Sequence, residues 1–316
     1  MTRRLRHVFG PVPSRRLGRS LGVDLVPFKT CTYDCVYCQL GRTTCKTVRR
    51  KCYVPLGNVV KEVKIALAAG LRPDVITLAG SGEPTLHAGL GELISAIKQL
   101  TDIPVAVLTN GSLLWQHTVR AALAAADIVI PSLDAGDETL FRYVNRPHPS
   151  ISFGRMVEGL MAFGREYTGR VWLEVFLLGG VTGLETEVAK IARVARRIAP
   201  ERVQLNTVAR PPAESFALPV PREQMERFAS MFDGHTEVIA DYRGTDVRAE
   251  TAIRGESVLA LLSRRPCTTE GIAEGLGIHR GEVLKCLTIL LSRGSVTSEM
   301  VSGNLYYRAQ ANRERN

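Results

Sequence analysis

Nothing in the chain approaches the ~18 consecutive apolar residues of a membrane span, and its opening MTRRLRHVFG lacks the apolar centre of a signal peptide. A soluble, cytoplasmic protein without a membrane partner is therefore expected. No segment recurs at a fixed period and no low-complexity tract occurs, which excludes solenoid arrays. The seven cysteines are an odd number in a long chain without a secretory signal, which argues against a disulfide framework. Acidic residues are scarce at the start: residues 1 to 52 hold twelve Lys or Arg against only Asp24 and Asp34. That imbalance equals the whole net charge of +10. Such a face is suited to an acidic electron carrier or to nucleic-acid phosphates, unless it is simply a solvated surface.

What the chain does contain is enough apolar residue, 45% of 316, to bury a core larger than one small domain needs. A large domain over 1–250 and a small one over 251–316 are expected. The run Leu21 to Val26 reads as a first strand after a Pro- and Gly-bearing loop, and Asn58 to Leu71 shows helical spacing. Strand-like VITLAG, PVAVLT, DIVIPSL, VWLEVFLL and RVQLNTV then alternate with helical segments near 90–100, 114–125, 138–143, 153–167 and 185–198. Counting the first strand, this gives six βα units and an α/β fold on a parallel sheet. In such folds the chemistry sits at the C-terminal strand ends. Residues 209–253, with a helix near 222–232 and the short strand TEVIA, read as a closing extension.

The stretch Thr30 to Leu40, TCTYDCVYCQL, places Cys31, Cys35 and Cys38 in a C-x3-C-x2-C spacing. Gaps of four and three residues let a curled backbone aim three thiolates at one metal centre. A four-iron cubane normally takes four cysteines, so three leave one iron open to a substrate or cofactor. A zinc site wants two Cys or His pairs, and only Cys45 or Cys52 stands near enough to supply a fourth ligand. Both metals stay open at this point.

With Tyr37 just before the last cysteine, the motif resembles that of the radical S-adenosylmethionine (SAM) superfamily. The resemblance implies a partial (β/α)6 barrel and a [4Fe-4S] cluster on Cys31, Cys35 and Cys38. It also implies SAM chelated to the fourth iron and cleaved, by one electron from a reduced flavodoxin or ferredoxin type donor, to a 5′-deoxyadenosyl radical. The second strand ends in AGSGEPTLH, which resembles the superfamily's Gly-Gly-Glu-Pro motif with Ser81 in place of one glycine. Gly80, Ser81, Gly82 and Glu83 are thereby expected to meet the amino group of SAM. By the same resemblance Asn110, Ser132 and Asp134, at the next two strand ends, contact SAM or substrate. Without it, Glu83 is an acid favoured at a helix start, Asn110-Gly111 a turn pair and Asp134 a cap. Asn145, Arg146 and His148 are candidates for a substrate mouth, and Asn206, Thr207 and Arg210 face the same side.

Residues 254–311 change character, with helices expected at 256–262 and 281–293, Thr268 and Thr269 as caps before GIAEGLG, and two strands with a Gly-Asn turn. This order resembles winged helix-turn-helix domains, with Ile272, Ala273, Leu276, Val283, Leu287 and Leu290 as core and Cys267 and Cys286 buried. A radical SAM enzyme is the expectation, set against an iron–sulfur DNA-binding regulator and a zinc-stabilised nucleic-acid binder. The wider match FGPVPSRRLGRSLGVDLVP is similar to iron–sulfur oxidoreductases grouped with the tRNA wybutosine synthases. Those hold a second cluster on cysteines preceding the motif, whereas no Cys precedes Cys31 here. RNA and a protein or peptide, the latter as in activating-type enzymes, are the substrate classes carried forward.

Overall fold

The computed structural model describes residues 5–210, 212–240, 250–263, 266–276, 278–301 and 304–310. The chain divides into two compact units, one over 5–240 and one within 241–316.

In the first unit, eight strands form one sheet. They are β1 (Val8–Ser14), β2 (Gly18–Val23), β5 (Val75–Leu78), β6 (Val105–Thr109), β7 (Ile128–Pro131), β8 (Arg170–Leu177), β9 (Arg202–Thr207) and β10 (His235–Val238), in that spatial order. The short strands β3 (Thr30–Cys31) and β4 (Cys45–Lys46) pair separately in parallel. Every neighbour in the large sheet is parallel except β1, which runs antiparallel to β2. Helices α1 (Leu56–Ala68), α2 (Leu90–Leu100), α3 (His117–Leu123), α4 (Glu138–Asn145), α5 (Phe153–Glu166), α6 (Glu185–Ile198) and α7 (Arg222–Ala229) fill the crossovers. These are the six βα units of a partial barrel, with β10 as an added parallel strand.

The strands are buried on both faces, which is why VITL and IVIP read as continuous apolar runs. Alternate residues divide between two cores. Ile76, Leu78, Val105, Val107, Val129, Leu173, Val175, Val203 and Leu205 join the helices in one cluster. On the other face Val75, Ala106, Ile128, Ile130 and Trp172 pack with Leu17. Helix α6 shows the matching stripe, with Val188, Ile191, Ala192, Ala195 and Ile198 buried. Each fully buried aliphatic side chain stabilises the packing by roughly 1.5–3 kcal/mol.

Leu17 belongs to the turn joining β1 and β2, and the same turn ties the sheet into a curl. Arg15 Nη1 donates to the carbonyl of Ile239, just past β10, at 3.1 Å. Arg16 Nη2 meets Glu174 Oε1 of β8 at 2.8 Å. Because β1 and β10 are opposite edges of the sheet, these contacts require it to wrap around the Leu17 cluster.

The first strand lies where a loop was expected. Gly10, Pro11 and Pro13 break the strand pattern in the sequence, and the register shifts between Phe9 and Val12. An edge strand tolerates prolines because no further strand asks for their missing N–H.

The second unit runs α8 (Glu250–Leu262), α9 (Thr269–Leu276), α10 (Arg280–Ser292) and the antiparallel hairpin β11 (Val296–Val301) with β12 (Asn304–Ala309). Ile272, Ala273, Val283, Leu287 and Leu290 are buried in its core with Cys267 and Cys286, while Leu276 is partly buried. Of the two expected caps, Thr268 is the acceptor, taking the Gly271 N–H at 3.1 Å. Gly303 of the expected Gly-Asn turn lies outside the described residues.

Candidate active site

The three-cysteine loop leaves β3 and returns at β4. Their ladder pairs Thr30 with Cys45 and Cys31 with Lys46, clamping the two ends of the loop. Inside it, Asp34 Oδ1 accepts the Thr43 N–H at 2.6 Å and the Thr43 hydroxyl donates to the Tyr33 carbonyl at 2.7 Å. Cys38 N–H donates to Cys35 O at 3.2 Å and Gly41 N–H to Cys38 O at 3.0 Å, so CVYC curls into consecutive turns. The loop is sewn to the end of α4, where Asp34 and Val36 N–H groups donate to Asn145 and Val144 carbonyls at 3.0 and 2.9 Å.

Each thiol faces its own nitrogen donor. Asn110 Nδ2, past the end of β6, donates to Cys31 Sγ at 3.5 Å. Asn145 Nδ2, the last residue of α4, donates to Cys35 Sγ at 3.5 Å. Lys29 Nζ donates to Cys38 Sγ at 3.1 Å, from a side chain buried against the loop. Burial, and then Glu83, push the Cys31 thiol up to about 12, and burial pushes Cys35 up as well. Two thiols, Cys31 and Cys35, that burial disfavours as thiolates, in a set of three sulfurs that all face amide or ammonium donors, suit a ligand able to displace thiol protons. An iron–sulfur cluster bound through thiolates is such a ligand. Among the described residues, no three His, Cys, Asp or Glu side chains are gathered to hold a single metal ion. In a cubane each thiolate takes a different iron, so the three sulfurs need not meet at one ion.

Glu83 ends the strand-to-helix turn with its carboxylate buried. Oε1 accepts from Thr85 N–H at 3.1 Å and from the Thr85 and Thr109 hydroxyls at 2.6 Å, and Oε2 accepts the Asn110 N–H at 2.8 Å. Burial raises its pKa while these donors oppose the shift. The neighbouring Gly82 is required by close packing, because a Cβ there would collide with the Thr30 carbonyl of the cysteine loop. A Cβ on Gly80 would lie 2.8 Å from Asp24 Cγ. Ser81 replaces a glycine of the motif without such conflict, since its hydroxyl and N–H both donate to Asp24.

Asp134 is also buried. Its Oδ2 accepts from the Tyr37 hydroxyl and from Asn145 Nδ2, the latter at 2.7 Å, and its Oδ1 accepts the Phe176 N–H at 3.1 Å. Burial raises its pKa to about 6 against the pull of Tyr37 and Asn145. Tyr37 stacks on Phe176 with ring centroids 4.0 Å apart. Ser132 is half-buried, its N–H donating to Thr109 O at 3.1 Å. The residues expected in the site thus gather at the C-terminal ends of β5, β6 and β7, around the cysteine loop.

Other candidates are placed differently. Arg146 Nη1 pairs with Glu214 at 2.6 Å, His148 Nδ1 shares a hydrogen with the Ser150 hydroxyl at 2.9 Å, and Arg210 reaches Gln39 at 2.6 Å. Thr207 is buried with its hydroxyl on the Leu177 carbonyl at 2.7 Å. Asn206 Nδ2 donates to Glu174 Oε1 at 2.9 Å, beside Arg16, whose Nη1 is buried without a partner. Cys45 and Cys52 are exposed. Lys29, Arg16 and Glu174 were not anticipated. The one hint for Lys29 is its position next to Thr30.

Residues 25–193 match the model of the radical SAM superfamily. A UPF0026 protein of Helicobacter pylori is 35% identical over 95% of this chain and 96% of its own length. A UPF0026 protein of Methanocaldococcus jannaschii is 34% identical over 84% of each. A Brachyspira hyodysenteriae protein named GTPase Obg is 40% identical over 96% of this chain, but the chain spans only 45% of that protein. The fold is similar to that of a radical SAM methyltransferase from Sphaerobacter thermophilus, with TM-score 0.51, 20% identity and 71% of this chain against 67% of that one. It is also similar to Streptococcus suis SuiB bound to S-adenosylmethionine, with TM-score 0.52, 14% identity and 70% against 50%. The chain belongs to the radical SAM superfamily, alongside the UPF0026 proteins, and is an enzyme of that class.

Proposed function

We propose that Cys31, Cys35 and Cys38 hold a [4Fe-4S] cluster at which SAM is reductively cleaved, and that the resulting radical acts on a substrate at the mouth of the barrel. The observation that carries this is the set of three thiols on one clamped loop, each met by a separate N–H donor. When bound, the cluster and SAM supply one-electron cleavage to methionine and a 5′-deoxyadenosyl radical.

The chain's own groups bind and shield. The edge from Gly80 to Glu83 and the hydroxyl of Ser132 line the SAM side, where Glu83 Oε2 keeps acceptor capacity for an ammonium. Tyr37 and Asp134 bond each other and the Phe176 N–H, and the Asn110 amide bonds Thr32 and Cys31, so these three brace the loop beside that edge. The Tyr37–Phe176 stack and the apolar floor of Leu108, Ile130 and Trp172 exclude water from a reactive carbon radical. Exposed Lys46, Arg49 and Lys51 form a basic rim beside the loop, suited to an acidic flavodoxin or ferredoxin type donor. The same rim suits the phosphates of RNA, as in a tRNA-modifying enzyme related to wybutosine synthases. The C-terminal unit, read as a winged helix, presents the substrate or a partner.

The test is iron content after anaerobic reconstitution. About four irons are expected per chain, lost on replacing Cys31, Cys35 or Cys38 by Ala and kept on replacing Cys45 or Cys52. Equal loss in the Cys45 or Cys52 variants would refute the three-ligand site.

A further inference from the structure

We infer that Lys29, Asn110 and Asn145 set the reduction potential of the cluster, one donor to each cysteine sulfur, and that Glu83 and Asp134 are positioning residues for the two asparagines. The inference rests on the proposed cluster and adds its control.

The three donors come from separate elements. Lys29 precedes β3, Asn110 follows β6 and Asn145 ends α4. Each is fixed by bonds the cluster does not supply. The Glu83 carboxylate takes the Asn110 N–H at 2.8 Å, and Asn110 Oδ1 accepts the Ser112 N–H at 3.0 Å. The Asp134 carboxylate takes Asn145 Nδ2 at 2.7 Å, so that amide is shared between the carboxylate and Cys35 Sγ at 3.5 Å. Lys29 has φ of 57°, a left-handed conformation rare outside glycine. Its N–H donates to Ser81 O at 2.6 Å and its carbonyl accepts Cys45 N–H at 3.1 Å, which together hold that conformation. Strained backbone of this kind persists where the surroundings over-determine it, often at functional sites.

Reduction places one more negative charge on a cluster and part of it on the thiolate sulfurs. N–H donors aimed at those sulfurs stabilise the reduced form and raise the potential. Lys29 brings a full positive charge at 3.1 Å to Cys38 and is the strongest of the three. Three donors from three elements also let the fold shift the potential without altering any iron ligand.

The full chain, reconstituted anaerobically and titrated with dithionite under electron paramagnetic resonance, tests this without reference to turnover. Lys29→Met, Asn110→Ala and Asn145→Ala are compared with the surface control Asn58→Ala. All are expected to keep about four irons and wild-type circular dichroism. At a fixed poise the ratio of reduced to oxidised cluster falls about tenfold for Lys29→Met, about 59 mV for one electron, and less for either asparagine. Lys29→Arg restores most of the loss, and Asp134→Asn, which keeps an acceptor for Asn145, moves the ratio less than Asn145→Ala. Cluster-bearing variants that titrate at the wild-type potential overturn the inference. A variant that is folded but cannot assemble a cluster overturns it at that position, leaving an assembly role alone. A wild-type chain that holds no four-iron cluster overturns the proposed function instead, which separates the two failures.

Discussion

His87 is wholly buried, and both ring nitrogens are engaged: Nε2 with the Val54 carbonyl at 3.0 Å and Nδ1 with the Gly89 N–H at 3.1 Å. A carbonyl on one side and an N–H on the other fix the Nε2–H tautomer. Burial lowers its pKa below the ordinary 6.5. Protonation would set a second N–H against Gly89, so the unfolded chain takes the proton first as pH falls. Stability from this residue is present above pH 6.5 and declines on acidification through the lowered pKa. The urea midpoint should therefore drop between pH 7.5 and 5.5 by more in wild type than in His87→Gln, and parallel drops would contradict it. A second prediction concerns Gly82→Ala, whose methyl meets the Thr30 carbonyl. Overpacking of this kind costs roughly 1–3 kcal/mol, and denaturation with iron analysis should show lowered stability and reduced iron binding, whereas Ser81→Gly keeps its iron. The cysteine spacing and the GSGEP edge were legible as residues because their geometry is local. Lys29 was not, since its reach to Cys38 depends on a left-handed backbone. The role of Asn145 was not, since its sulfur contact spans 110 residues.

At the scale of elements, the β1–β2 turn is the unexpected feature. Arg16 and Glu174 form an ion pair with side chains only 13% and 16% exposed. Nearby Arg16, with Asn206, holds the Glu174 pKa low in spite of its burial. Removing one partner of a buried pair leaves an uncompensated charge and costs roughly 3–5 kcal/mol. Arg16→Ala should show a loss of that order in chemical denaturation, and Arg16→Ala with Glu174→Gln should recover part of it. An Arg16→Ala variant as stable as wild type would mean the turn does not secure the curl of the sheet. The central strands and amphipathic helices were legible because burial on both faces and the period of 3.6 leave plain patterns. Strand β1 was hidden by Gly10, Pro11 and Pro13, residues that only an edge position makes compatible with a strand. Helix ends moved by a few residues, as with α3, which begins at His117 rather than near Leu114.

At the scale of the molecule, the main core of the first unit draws wholly on residues 5–240, and the C-terminal unit has its own core. A chain ending at residue 240 should thus unfold cooperatively and keep its iron, while losing turnover of the true substrate. Loss of iron on truncation would show that the first unit cannot form the site alone. The α/β class was readable from alternation of strands and helices, but the pairing order of the sheet and its curl depend on contacts such as Arg15 with Ile239, 224 residues apart. The central claim is that the loop of Cys31, Cys35 and Cys38 makes this chain a SAM-cleaving enzyme. Its most direct measurement is 5′-deoxyadenosine, quantified by mass spectrometry after anaerobic incubation of reconstituted protein with SAM and dithionite. The expected result is formation of 5′-deoxyadenosine and methionine by the wild type and none by Cys35→Ala. A wild type that carries its iron and binds SAM yet yields no 5′-deoxyadenosine, or a Cys35→Ala variant that yields as much, would contradict it.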